Sequence, residues 1–233
     1  MNKSRRMAAL QARALADAGW SVMQVDLFGC GDSDGDFSEA DWEQWQTDIR
    51  DAANWLRQQT GHQPAFWGLR TGCLLACEVA GKMAAAPNLL LWQPSLSGRQ
   101  SLQQFLRLKV ASQLFKDSTP DRITTKQLYE SLSRGDSAEV AGYALASALA
   151  MGLDASELKP PALATRVAWL EVRPDTPPEI SPAARDRIQS WRAAGHQIDG
   201  HAVTGEAFWQ TQEIAESREL IKATLALVAD WRR

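Results

Sequence analysis

The chain has 233 residues, of which 45% are hydrophobic, and a net charge of -3 at pH 7. That suits one α/β domain with a sizeable core and excludes the basic field that nucleic acid or an anionic membrane surface calls for. Cys30, Cys73 and Cys77 are odd in number and lack metal-finger spacing, which fits free thiols in a reducing compartment. Lys3, Arg5 and Arg6 open the chain, but Gln11, Arg13 and Asp17 interrupt any apolar signal-peptide core, and no run of transmembrane length follows. The protein reads as cytoplasmic and soluble.

Residues 4–18 place Met7, Leu10 and Ala14 at helical spacing, with Gly19 as a stop. Trp20 to Asp26 alternates like a strand, and the glycine-broken, acidic stretch from Leu27 to Asp36 is the loop that leaves it. Asp32, Asp34 and Asp36 alternate as the first ligands of a calcium loop do, yet Phe37 stands where that loop needs glycine and no glutamate closes it, so a polar turn is expected. Ser38 is the expected N-cap of a helix over residues 39–59, with Asp41 and Glu43 in its first turn and Trp42, Trp45, Ile49, Ala52, Ala53 and Leu56 as its apolar stripe.

Gly61 and Pro64 end that helix, and Ala65 to Trp67 is a short strand feeding the turn Gly68-Leu69-Arg70-Thr71-Gly72. An alanine-rich helix is expected over residues 72–86. The continuous apolar run from Asn88 to Gln93 then suits a central parallel strand covered on both faces, in a right-handed βαβ layout. From Arg99 to Leu158 the periodicity is helical, with Leu102, Phe105, Leu106 and Val110 in one piece and Val140, Tyr143, Ala144, Ser147 and Ala148 in another. This stretch reads either as a helical cap inserted at about 99–160 or as ordinary covering helices. Arg166 to Val172 resumes the sheet, Ile180 to Ala194 is a helix, and Gln197 to Val203 is a last strand. The tail from Glu213 to Trp231 is an amphipathic helix with Ile214, Leu220, Ile221, Leu225 and Val228 inward. The predicted fold is α/β: one domain over residues 1–233, a mostly parallel sheet with helices on both faces and a helical cap.

The turn Gly68-Leu69-Arg70-Thr71-Gly72 has the Gly-x-nucleophile-x-Gly outline of a nucleophile elbow between strand and helix. The run Asp26-Leu27-Phe28-Gly29-Cys30-Gly31-Asp32-Ser33 resembles the D-x-x-G-x-G-x-S loop of the α/β-hydrolase superfamily. With Met1 to Met7 (MNKSRRM), the Trp67 to Gly72 elbow and Ala207 to Thr211 (AFWQT), essentially the whole chain resembles the exosortase A system-associated hydrolase 2 family. That resemblance implies a bacterial protein encoded near the machinery for PEP-CTERM protein sorting and exopolysaccharide export, with hydrolase activity assigned by fold. It also implies further strands and an oxyanion-hole loop ahead of the first helix. The chain begins inside that region, so the N-terminal strands are expected to be missing and Met1 reads as a late-assigned start.

Acyl transfer on this fold needs a nucleophile at the elbow, an acid after a later strand and a histidine after the last one. The elbow holds Arg70, whose guanidinium stays protonated and cannot attack a carbonyl. Thr71 carries a hydroxyl, but at the position whose backbone N–H joins the oxyanion hole; Cys73 lies one step outside the bracket, on the first helical turn. Asp175 is the positional candidate for the acid, with Glu171 second. Ala207 stands where many hydrolases place histidine, leaving His201 as the nearby substitute base, ahead of His62 and His196. Arg70 itself either binds a carboxylate or phosphate of a ligand or forms an internal pair with Asp175 or Glu171. Two functions stand: hydrolysis of an ester, thioester or related acyl bond, or a pseudoenzyme that binds a small acyl or anionic ligand, or a protein partner, through the same cleft. No cofactor and no metal is expected.

Overall fold

The computed structural model of the chain describes residues 2–113, 123–140, 142–211 and 213–232. In chain order its elements are α1 (Asn2–Asp17), α2 (Trp42–Thr60), β1 (Phe66–Leu69), α3 (Gly72–Gly81), β2 (Leu89–Trp92), α4 (Gly98–Gln113), α5 (Thr125–Ser133), β3 (Ala138–Val140), β4 (Tyr143–Leu145), α6 (Ser147–Ala155), β5 (Arg166–Arg173), α7 (Pro182–Ala193), β6 (Gln197–Thr204) and α8 (Arg218–Val228). They form two compact units, one of Met1–Gln24, Trp55–Pro94 and Pro160–Arg233, the other of Val25–Asn54 and Ser95–Lys159.

The first unit carries a four-stranded sheet in the order β1-β2-β5-β6, every neighbouring pair parallel. The all-buried β2 and the six-residue buried centre of β5 show why their sequences are apolar runs, broken only by the buried Glu171 of β5. On the edge strand β6, Ile198 and Val203 are buried while Gln197 and Asp199 are exposed. One core cluster joins Met7 and Leu15 of α1, Leu90 and Trp92 of β2, Leu170 and Val172 of β5, Phe208, and Leu220 and Val228 of α8. Within it the Trp92 Nε1–H donates to Thr224 Oγ1 at 3.0 Å, tying β2 to α8.

Three expectations in this unit change. Trp20 to Asp26 joins no ladder among the described residues, although Trp20 and Val22 pack on the core cluster as the alternation predicts. Alternation reports which side chains turn inward; a ladder also needs a partner strand. The helix after the elbow ends at Gly81 rather than running to residue 86. The tail helix starts at Arg218, capped by Ser217, whose Oγ accepts from Leu220 N, and Ile214, expected inward, is 59% exposed.

In the second unit the D-x-x-G-x-G-x-S loop bonds to itself. Ser33 Oγ donates to the Asp26 carbonyl, and the Asp26 carboxylate accepts from Asp32 N at 3.2 Å. Gly29 has φ +72°, and a Cβ there would lie 2.6 Å from the Asp36 carbonyl oxygen. The loop is held to α2 by Phe28 N donating to Asp48 Oδ2 (2.8 Å) and by Trp45 Nε1 donating to the Phe28 carbonyl (3.0 Å). Ser38 does not cap α2. Asp36 caps the single 3-10 turn Phe37–Glu39, and Asp41 Oδ1 accepts from Gln44 N at 2.6 Å at the start of α2.

The stretch expected to be helical throughout is interrupted by the β3–β4 hairpin, which turns through Gly142 at φ +84° and buries Ala138, Val140 and Leu145. Three-residue strands are too short for alternation to stand out against helical spacing. Residues 114–122 of that stretch, and Ala141, lie outside the described residues. Around the hairpin, Asp154 accepts two bonds from Arg99 and one from the Tyr129 hydroxyl, which joins α4, α5 and α6.

Candidate functional site

At the carboxyl end of β1 the chain turns directly into α3. Arg70 N donates to the Trp92 carbonyl at 3.0 Å as the last rung of the sheet, and Cys73 N donates back to the Arg70 carbonyl at 3.1 Å. The reversal puts Arg70 at φ +55°, in the left-handed region that L side chains rarely adopt. A Cβ on Gly68 would lie 2.7 Å from the Cys73 backbone, so strand and helix approach closely only because this residue is glycine; a Cβ on Gly72 would meet nothing within 4 Å. Thr71 is already helical (φ -63°, ψ -27°), and its side chain makes no capping bond.

The Arg70 guanidinium lies over the Trp209 ring, 5.6 Å from its centroid. Trp209 arrives on the turn after β6, where the Phe208 ring is edge-on to both Trp92 (6.3 Å) and Trp209 (4.9 Å). Phe208 is fully buried, and that fold-back is what carries Trp209 to the elbow. The Trp209 Nε1–H is buried without a hydrogen-bond partner. Burial pushes the Arg70 pKa down from its ordinary value; an arginine nevertheless stays cationic at neutral pH.

The neighbouring strand end repeats the backbone feature. Gln93 follows β2 at φ +43°. Its N–H donates to the Leu170 carbonyl at 2.7 Å, and its Oε1 accepts from Val172 N at 2.8 Å.

Of the other residues singled out, Asp175 is exposed and pairs with Arg173 Nη2 at 3.2 Å. Glu171 is buried and accepts from Ser181 N (2.7 Å) and Ser181 Oγ (2.9 Å), anchoring the start of α7. The two acids weighed as partners of Arg70 are thus engaged elsewhere. His201 is exposed in the middle of β6, opposite Leu170. Three interstrand steps separate β6 from β1, about 14 Å in all. The structure therefore gathers Arg70, Gln93 and Trp209, and leaves Asp175 and His201 apart from the elbow and from each other.

Cys73 is fully buried, its Sγ 3.6 Å from the Trp92 carbonyl, and burial pushes its thiol pKa well up; Cys77 is raised for the same reason. A neutral, water-excluded thiol is not a nucleophile, despite its place on the first turn of α3. His62 is exposed, whereas His196 is buried against the Trp191 ring. Among the described residues no group of three or more His, Cys, Asp or Glu side chains is placed to hold a metal.

Sequence reading missed Gln93 and the role of Trp209. A polar residue closing an apolar strand just before Pro94 was the available signal for the first. The pairing of Trp209 with Arg70 spans 139 positions and leaves no local trace.

Residues 1–151 match the family model Hydrolase_4, described as serine aminopeptidase, S33. No curated protein matches the chain. Solved structures do. DcsB, described in complex with its substrate analogue, is 17% identical with a TM-score of 0.57, over 94% of this chain and 84% of that one. A structure from work on LipS and LipT, two metagenome-derived lipolytic enzymes, is 14% identical with a TM-score of 0.52, over 97% and 88%. XC6422 of Xanthomonas campestris, described as an α/β serine hydrolase without a lid, is 17% identical with a TM-score of 0.50, over 97% and 73%. At such identities the likeness is one of fold.

Proposed function

The chain belongs to the serine aminopeptidase S33 family of hydrolases, and from that premise we propose that it serves the exosortase A, PEP-CTERM and exopolysaccharide setting by recognising a small acyl or anionic ligand at an elbow where arginine replaces the nucleophile. The observation that supports the ligand-binding part is Arg70 itself, at φ +55° between β1 and α3; the setting rests on the sequence resemblance alone. A guanidinium has no lone pair to attack a carbonyl, but its planar fork matches carboxylate and phosphate oxygens. The first turn of α3 stands immediately behind it, and the positive end of a helix dipole favours an anion in the same place. In this reading the protein is a pseudoenzyme.

Family membership favours a second reading, hydrolysis of an ester, thioester or related acyl bond by a displaced nucleophile, with Asp175 as acid and His201 as base. Thr71 is the hydroxyl nearest in sequence to the elbow centre. The two readings part on covalent reactivity.

Fluorophosphonate labelling of the folded chain, with mass-spectrometric mapping of the modified residue, tests them. The binding reading expects no labelled residue. A label confined to one serine or threonine, and lost when that residue is substituted, would overturn it in favour of hydrolysis.

A further inference from the structure

Two adjacent strand ends in this sheet finish on a non-glycine residue in the left-handed region: Arg70 after β1 and Gln93 after β2. No other non-glycine residue among those described has a positive φ. Each such residue costs of the order of 1–3 kcal/mol, a strain that structures keep where something depends on it. Leu69 is in register with Trp92, so Arg70 and Gln93 occupy the next level of neighbouring strands, whose backbones run roughly 5 Å apart. This level is the carboxyl edge of the parallel sheet, where ligands of open α/β sheets bind.

The Gln93 amide is oriented rather than loose. Its Oε1 is taken up by Val172 N at 2.8 Å, so the amide's NH2 is the end turned away from β5. Among the described residues that Nε2 has no acceptor, and it is not one of the buried unpaired atoms. Arg70 holds the same level on the neighbouring strand end, its guanidinium over the Trp209 ring at 5.6 Å. The donors are a cationic planar fork and a neutral N–H pair, with the Asp175 carboxylate on the next strand end already matched to Arg173.

We infer that Arg70 and Gln93 together form a carboxylate clamp, in which the guanidinium takes the two carboxylate oxygens and Gln93 Nε2 donates a further hydrogen bond to one of them. The clamp deepens the reading of the elbow as a binding site and rests on it. One guanidinium and one neutral amide suit a monoanion; a dianionic phosphate monoester asks for more cationic charge. Gln93 therefore determines headgroup choice, and Arg70 supplies the charge.

The test is titration of the full chain with three six-carbon probes that differ only in headgroup, hexanoate, hexanamide and hexyl phosphate, followed by NMR of the side-chain amides and by calorimetry. Hexanoate is expected to bind at least tenfold tighter than either of the others and to shift the Gln93 side-chain amide signals. Arg70→Met is expected to weaken hexanoate at least a hundredfold, and Gln93→Leu about tenfold, the size of one hydrogen bond to a charged group. Gln93→Glu keeps an acceptor for Val172 N, and with it the local fold, while replacing the donor by a negative charge; it should lose hexanoate more completely than Gln93→Leu.

If hexanoate depends on Arg70 but both Gln93 variants bind as the parent does, the clamp is wrong and the elbow site stands. Preference for hexyl phosphate also overturns the clamp alone. If no probe senses Arg70, the clamp and the binding reading fall together.

Discussion

Arg70 pays for its position in backbone energy: the left-handed region costs an L-residue about 1–2 kcal/mol that glycine does not incur. Removing the side chain in two ways separates that strain from the contact with Trp209, because Arg70→Gly and Arg70→Ala both lose the ring contact and only glycine relieves φ. The glycine variant is expected to be more stable than the alanine variant by about 1 kcal/mol in chemical denaturation, against the usual order of the two residues. Equal stabilities would show that the turn carries no strain. The presence of arginine at the elbow was legible from the bracket Gly68…Gly72, a pattern of five consecutive residues. The left-handed Gln93 was not, since its backbone is set by bonds to Leu170 and Val172 on another strand.

The elbow as an element depends unequally on its two glycines. Gly68→Ala would place a Cβ 2.7 Å from the Cys73 backbone, where no flexible side chain can yield, and is expected to cost about 2–4 kcal/mol by pushing β1 and α3 apart. Gly72→Ala adds a methyl to open space in the first turn of α3, and is expected to be neutral or to stabilise by up to about 1 kcal/mol. Paired thermal melts of the two variants check this, and a reversed order would contradict the packing. The strands β1, β2 and β5 were legible because buried parallel strands require short, mostly apolar runs between turn residues. The start of α2 was misread by three positions, since Asp36, Ser38 and Asp41 are all good caps and only Asp41 meets the helix's own N–H groups.

Across the molecule, buried His196 makes stability depend on pH. Desolvation lowers its pKa below the ordinary value of 6.5, so the fold holds it neutral while the unfolded chain takes up a proton near pH 6.5. Between the folded pKa and about 6.5 the unfolded state binds more protons, and stability falls as pH drops through that window. Urea denaturation from pH 7.5 to 5 should show this slope, and His196→Phe should flatten it; an unchanged slope would place its origin in other groups. The sequence by itself determined the α/β-hydrolase architecture, the four strands of its parallel sheet in chain order and the arginine at its elbow, because these reside in local periodicity and short motifs. Only the tertiary structure decided that Trp209 returns to Arg70, that Gln93 stands beside it, and that Cys73 is sealed while His201 remains strands away. Those facts depend on sheet order and on a fold-back between residues far apart in sequence, which no local pattern encodes.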